Sequence, residues 1–577
     1  MPASDVVSPP APSPEARPPR ASATLVVVRD TPEGIEVLLS RRAERGDHNS
    51  GAWVFPGGIV DAGDARADEF CSGVDAANAN ARLGLQSGAL SYFVAAVREC
   101  FEESGLLFAT DSKDSTSASG TMIRLDDDAH AALRAWRGPL HRNERSIADL
   151  CREFGLKLAV DRLVYLSHWL TPLGRAKRFD TRFFIAEAPA AQTAAFDGTE
   201  MVEQLWLRPA DALARAIELK LMTPTQTTLK LVGRFERVQQ LLDWARAPRE
   251  IGLIMPRVGS GSQGMRPVLP DEPAWAEIGR IDPAGHGTSC YDIQVGTPVR
   301  LSPRVIRVTA NNGSVMTGPG TNTYLIGGGP RNEWAVIDPG PLHESHVEAI
   351  LAAAPGAIRW IFATHTHTDH SPACVPLAAR TGAVVHGRVA AHPMWQDASF
   401  APDVHLVGGE RFELPAPEGT TTTLHAIHTP GHASNHICYL LEEEKLLFTG
   451  DHVMQLSTVV INPPDGDMAA YIASLRELAT RDLEWLAPGH GFLMANPAQA
   501  MNGIVAHRLK REAKVVDAMR ALGPVDAETL LVRVYDDVQP RLLPMAMRSL
   551  TAHLFKLRDD GSARESDGRW SLAATSA

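Results

Sequence analysis

The segment Thr364-His365-Thr366-His367-Thr368-Asp369-His370 places three imidazoles and one carboxylate within six residues, directly after the apolar run IRWIFA. Ligand-capable side chains at the end of a buried strand sit where a rigid element meets a loop, a favoured place for active sites. If extended geometry persists through His365 and His367, their spacing of two turns both rings to one side, where they can share a metal ion. Asp369 and His370, past the bend, can face a second. A catalytic ion takes about three protein ligands, so more donors should lie at later strand ends. His432 closes LHAIHTPGH, Asp451 closes KLLFTGD and His490 closes WLAPGH, each preceded by a glycine that allows close backbone approach. A lone histidine is more often a core or loop residue than a ligand. Seven donors in this arrangement fit a two-metal hydrolase.

A second constellation lies upstream. In Arg98-Glu99-Cys100-Phe101-Glu102-Glu103-Ser104-Gly105-Leu106, the carboxylates of Glu99, Glu102 and Glu103 fall at i, i+3 and i+4 of a helix beginning near Ser91 and stopped by Gly105. Like charges on one face cost a few tenths of a kcal/mol per pair, and a bound divalent cation would offset that cost. A merely solvated acidic face is the competing reading. The turn Trp53-Val54-Phe55-Pro56-Gly57-Gly58, and an acid, Asp64, at Gly-x5 spacing from Gly58, favour a site.

The elements that must position these groups occupy a chain of 577 residues, enough for about three or four domains. Hydrophobic residues make up 44% and charged ones 21%, a globular composition. The 56 Lys and Arg against 68 Asp and Glu leave a net charge of −12, without the basic footprint of a dedicated nucleic-acid binder. The 6 cysteines show no Cys-x-x-Cys spacing, which speaks against a disulfide framework and for a reducing, cytoplasmic setting. No apolar run suits a signal peptide or a membrane span. Residues 1–20 read as a disordered Pro-rich arm. The runs ATLVVVRD and GIEVLLSRR predict a hairpin that opens a first domain over 21–245. Residues 246–296 read as an irregular linker rich in Gly, Pro and Ser. Strands and helices alternate over 297–504, which predicts sheets with helices on their outer faces. Residues 505–577 are mostly helical, close with RESDGRWSLA and look like a winged helix. From His507 onward they carry 12 Lys and Arg against 10 Asp and Glu. The expected class is therefore multidomain α/β and α+β.

His-x-His-x-Asp-His, TPGH, TGD and PGH occur here in the order they take in the metallo-β-lactamase superfamily, which residues 300–500 resemble. The resemblance implies an αββα sandwich with two zinc ions, one on His365, His367 and His432, the other on Asp369, His370 and His490, bridged by Asp451. It implies that Asp369 orients the attacking water and that Asp338, in VIDPG, supports the site without being a ligand. MTGPGTNTYLIG, TPGHASNH and the terminal module resemble the lactamase-like endoribonuclease branch, whose relatives include glyoxalase II-like thioesterases. By that match Thr321, Asn322 and Tyr324 would line the mouth of the site, with His436 nearby, and RNA joins esters and thioesters as a candidate substrate.

The upstream motif resembles the Nudix box, Gly-x5-Glu-x7-Arg-Glu-U-x-Glu-Glu-x-Gly-U, where U is bulky and apolar. It implies an α/β/α sandwich whose Glu99, Glu102 and Glu103 hold Mg²⁺ or Mn²⁺, with Glu102 and Glu103 catalytic and a further carboxylate from Glu200 or Glu203. Two departures stand out: Asp64 replaces Glu, and residues 65–97, 33 in all, stand where the pattern has seven. Interrupted boxes of this kind, with WVFPGG and RFDTRFF-like segments, resemble the coenzyme A diphosphatase branch. The expected protein is a bifunctional hydrolase of small molecules, nucleotide or acyl-CoA-like, acting neither on membranes nor on duplex DNA. The alternative is a Nudix domain that senses a nucleotide and regulates a single zinc hydrolase.

Overall fold

The computed structural model describes residues 18–573 apart from 45–49, 113–120, 126–130, 418–419 and 457. The Pro-rich arm, up to residue 17, lies outside the described residues. The chain divides into two compact units, Met1–Arg257 and Val258–Ala577. Among the described residues no helix is long and apolar enough to cross a membrane.

In the upstream unit the β-branched run Arg20–Thr31 pairs antiparallel with Gly34–Arg42, closing at Thr31 opposite Gly34 as the turn chemistry predicts. The same strand pairs in parallel with Phe179–Glu187, and Gly34–Arg42 pairs with Met201–Leu207, building an eight-stranded mixed sheet. The helix Leu90–Ser104 packs Phe93, Val97 and Phe101 against Leu25, Val27 and Phe184 of this sheet. Gly105, at φ +74, ends it in the left-handed conformation that glycine adopts without strain. The 26 residues by which the box is extended belong to folded structure: a 3-10 turn, Asp64–Phe70, a short helix, Ala76–Leu83, and the start of the carboxylate helix.

The downstream unit holds a seven-stranded and a six-stranded sheet. Alternation along each strand decides what lies on either face. Tyr324, Ile326, Ala335, Ile337, Leu424, Ala426, Leu446 and Phe448 point into one core between the sheets. Leu325, Trp334 and Val336 point outward to the helices Glu344–Ala353 and Cys374–Thr381, and Ile427 and Leu447 to Met468–Leu478. Two sheets with a helical layer on each outer face make the αββα sandwich.

Residues 246–296 are not an irregular linker. Leu253–Ile254 extends the upstream sheet beside Val164–Leu170, while Val268, Ala274, Ile278 and Tyr291 form a small core with Phe492 of the downstream unit. The helix Trp275–Ile281 carries Glu277, whose buried carboxylate accepts from both Nη atoms of Arg307 at 2.6 and 2.9 Å and from the Leu493 amide. Gly and Pro mark turns here, yet apolar residues at helical spacing still found a core.

The terminal module contains the helices Ala527–Val534 and Leu543–Asp559 and the hairpin Ala563–Ser566/Arg569–Leu572, with Trp570 and Leu550 in its core. No break occurs at 505. One helix, Pro497–Leu522, puts Met501 and Val505 into the sandwich's outer core and Val515, Ala518 and Met519 into that of the winged helix.

Candidate functional site

The strand Ala357–Phe362 ends before the histidines, so a loop rather than continued extended geometry brings His365 and His367 together. His365 Nε2 and His432 Nε2 each lie 3.0 Å from His367 Nδ1. These three form one donor set, and Asp369, His370, Asp451 and His490 form another. In the second, Asp451 Oδ1 lies 3.3 Å from His370 Nε2 and 3.1 Å from His490 Nε2, while its Oδ2 lies 3.7 Å from His432 Nε2. One carboxylate thus faces both sets, as a bridging ligand must.

What lies behind each ring sets its direction. His370 Nδ1 donates to Asp338 at 2.8 Å, His490 Nδ1 to the Gly320 carbonyl at 3.1 Å and His432 Nδ1 to the Val460 carbonyl at 2.8 Å. Each leaves Nε2 for the centre, the arrangement by which outer partners orient metal-ligating histidines. Asp338, at φ +49, also accepts from the Thr364 amide and hydroxyl, both at 2.7 Å, and so supports the histidine loop without entering the site.

The donor chemistry fits metal ions. His370 Nε2, His490 Nε2 and Asp451 Oδ1 are buried without hydrogen-bond partners, which is costly unless a cation satisfies them. Burial and neighbouring histidines hold His365 well below the ordinary imidazole value and His367 at about 3, so both are neutral with lone pairs free. His490, although burial opposes its charge, is raised to about 9 by the Asp451 and Asp369 carboxylates, an excess of negative charge suited to a cation. Asp369 has the most exposed side chain of its set, 25% accessible.

The three residues expected at the mouth, Thr321, Asn322 and Tyr324, lie behind the ligands instead, while His436 is near the site as expected. Thr321, Asn322, Tyr324 and His436 are fully or almost fully buried. Asn322 Nδ2 donates to the Pro488 and Gly491 carbonyls, and the Tyr324 hydroxyl to Pro488 at 2.7 Å, so these two pin the loop that carries His490. Thr321 pairs with His490 through a backbone bridge. His436 stacks on His365 with ring centroids 5.1 Å apart. GTNTY is therefore bracing behind the ligands, because its strand Asn322–Gly328 runs through the sandwich core.

In the upstream unit Asp64 reaches Arg98 despite the long insertion. Arg98 Nε and Nη2 donate to its two oxygens at 2.8 and 3.1 Å, and Asp64 is 1% exposed. Gly58 has its own reason: a Cβ there would lie 2.3 Å from Glu99 Oε1. The carboxylates do not draw into a set as tight as the histidine sets, because Arg98 Nη1 bonds Glu99 at 2.9 Å and Glu102 at 3.3 Å while Glu103 accepts from the Gly57 amide. Burial pushes all three above the ordinary carboxylate value, Glu102 to about 8, and a divalent cation would restore their charge. Of the two further candidates, Glu203 pairs with Arg41 and Glu200 with Arg42, but Glu200 alone acts electrostatically on Glu99 and Glu103. His141 escaped the sequence reading: its Nδ1 lies 3.9 Å from Glu102 and 3.7 Å from Glu200, beside a cleft of about 390 Å³ that Arg134, Arg137 and Arg142 help to line. Only tertiary structure brings it there, and no motif marks it.

Comparison with known proteins places both units in known families. The NUDT19 Nudix domain matches residues 86–228, the metallo-beta-lactamase superfamily residues 316–490 and the beta-lactamase associated winged helix domain residues 527–570. The lactamase-like protein vrtG of Penicillium aethiopicum is 33% identical over 39% of this chain and 68% of its own length. An atrochrysone carboxyl ACP thioesterase of Aspergillus chevalieri is 31% identical over 42% of this chain and 73% of its own. A solved NUDIX hydrolase from Alicyclobacillus acidocaldarius is 26% identical, covering 41% of this chain and 98% of that one, with a TM-score of 0.33. With both ligand-bearing folds in place, the chain belongs to the metallo-beta-lactamase superfamily, as a hydrolase joined to an upstream Nudix domain and a terminal winged helix.

Proposed function

We propose that the chain is a bifunctional hydrolase. The downstream unit holds two zinc ions and hydrolyses an acyl thioester. The upstream unit, with Mg²⁺ or Mn²⁺, cleaves a nucleoside-diphosphate-linked compound of the coenzyme A type. The observation that carries this reading is the convergence of seven donors on two sets that share Asp451. Imidazole-rich sets suit zinc, and carboxylate sets suit harder ions. Bound there, zinc would supply Lewis acidity to the scissile carbonyl and hydroxide near neutral pH. The chain's own residues then divide the work. Asp369, the most accessible of its set, orients the attacking water; His365, His367 and His432 present neutral nitrogens; and Asp338 keeps His370 turned inward.

A thioester is favoured over RNA by the loops around the centre. Trp395 precedes Gln396, which pairs with His367, and Leu456 follows Gln455, whose amide bonds the His490 carbonyl. Val315 and Met316 lie in the turn before Gly320. These four and Met394 are exposed apolar side chains, which favour an acyl group over a polyanion. The relatives named as ACP thioesterases support the same choice. The winged helix assists by covering one side, since Arg548 of its helix Leu543–Asp559 stacks 4.8 Å over the Trp395 ring.

The test assays the full chain, with zinc quantified, on medium-chain acyl-CoA and on a single-stranded RNA oligomer. Thioester turnover is expected, with His367→Ala losing both zinc and activity. Loss of an outer partner alone lowers metal affinity about 10–100-fold, so loss of a ligand should do more. RNA cleavage without thioester turnover would refute the substrate class, and unchanged zinc in His367→Ala would refute the ligand set.

A further inference from the structure

His432 takes its direction from a segment that the terminal module holds. Its Nδ1–H donates to the Val460 carbonyl at 2.8 Å. The adjacent carbonyl, that of Val459, accepts from Nη2 of Arg508. Arg508 is 4% exposed and belongs to Pro497–Leu522, the helix shared by the sandwich and the winged helix. A second route leads to the same loop. Gly431 has φ +146, and a Cβ on it would lie 2.4 Å from Tyr471 Cα, so the segment before His432 rests directly on Tyr471. The Arg508 guanidinium lies 5.6 Å over the Tyr471 ring, and the Tyr471 hydroxyl donates at 2.9 Å to the carbonyl of His452, which follows Asp451.

We propose that Arg508 is a positioning residue of the metal centre: it fixes the 459–460 backbone and hence the His432 ring, so the helix leading into the winged helix sets the affinity of the His365/His367/His432 ion. The inference rests on the reading of His432 as a ligand. A charged donor holds a carbonyl more firmly than a neutral one. The partner of a ligating imidazole fixes its orientation, and disturbing such partners costs about 10–100-fold in metal affinity. A donor one step further back should act at the lower end of that range. Lysine lacks the planar fork and is not a substitute.

The test uses the full chain and zinc alone. Arg508→Met keeps an apolar stem against Tyr471 and removes the donor. Chelator competition should show one of the two zinc ions bound about tenfold more weakly and the other within about twofold of wild type. With Co²⁺ in place of zinc, the absorption of only one site should shift. Leu554→Ala, in the winged-helix core, serves as a control for general loosening and should leave both affinities unchanged. Wild-type affinities in Arg508→Met would overturn the proposal, as would equal weakening of both ions in Arg508→Met and Leu554→Ala. His432→Asn separates the underlying reading: if it bound both ions as wild type does, the ligand assignment itself would fall and take this inference with it.

Discussion

Asp64 is one methylene shorter than the glutamate of the Nudix pattern, yet it meets Arg98 in a buried two-point ion pair. The departure is a substitution of reach, since the 3-10 turn Asp64–Phe70 begins at the acid itself and sets it beside the guanidinium. Asp64→Ala removes two charge-assisted hydrogen bonds but leaves Arg98 its contacts with Glu99, Glu102 and the Ile59 carbonyl, so it should destabilise the upstream unit by about 1–3 kcal/mol, read from its denaturant midpoint. Glu102 belongs to a different class of residue. Burial raises it to about 8, so its carboxylate is poised to gain from a cation. Glu102→Gln should leave that midpoint near wild type while lowering Mg²⁺-dependent pyrophosphate cleavage by about tenfold or more. Turnover within about threefold of wild type would instead favour the sensing role. The seven donors that the structure gathers into two sets were legible because four stand in one short motif and the rest precede or follow glycine at strand ends. Asn322 and Tyr324 were misplaced because a polar strand start looks the same in sequence whether it faces solvent or braces a neighbouring loop.

At the scale of elements, period-two alternation made the sheets legible, and the 90–104 helix was marked by its glycine stop. The end of the sandwich was not legible. Pro497–Leu522 runs through two cores without a cap or break, and a helix serving two domains shows no boundary signal. Its Glu512 ties the next domain down, accepting from His553 Nδ1 at 3.2 Å and Lys556 Nζ at 2.8 Å. Burial opposes the Glu512 charge, but these bonds outweigh it and hold the group below its ordinary value of 4.5; burial holds His553 below 6.5. Both shifts make acid destabilising. As pH falls below about 6.5 the unfolded chain takes up a proton at His553 that the folded chain resists, and below about 4.5 the same holds at Glu512. Amide exchange in Leu543–Asp559 should therefore accelerate in two stages between pH 7 and 3.5. Glu512→Gln should cost about 1 kcal/mol at pH 7, flatten the lower stage and deepen the upper one, because the Glu512 carboxylate also supports the charge of His553. Exchange independent of pH after correction for the intrinsic rate would show that this contact contributes nothing.

Over the whole molecule, the two candidate sites are separate in sequence and in core. The upstream unit draws its core from its mixed sheet and the carboxylate helix, and the downstream unit from the inner faces of its two sheets. The candidate donors are likewise segregated, with Glu99, Glu102 and Glu103 on the upstream helix and the histidine–aspartate sets downstream. A chain divided between Arg257 and Val258 should therefore yield two pieces that unfold cooperatively on their own, because a unit with its own core needs no neighbour to fold. The first should cleave pyrophosphate linkages with Mg²⁺ or Mn²⁺ and bind no zinc. The second should carry about two zinc ions and hydrolyse thioesters whether or not Mg²⁺ is present. Calorimetry and metal analysis of the pieces, followed by assays with NADH, ADP-ribose, coenzyme A and acyl-CoA, would check each expectation. If the upstream piece bound one of the nucleotides without turnover, and that nucleotide changed thioester hydrolysis only in the intact chain, the upstream unit would be a regulator. The absence of any such effect, with turnover in both pieces, is the outcome that two independent hydrolases require.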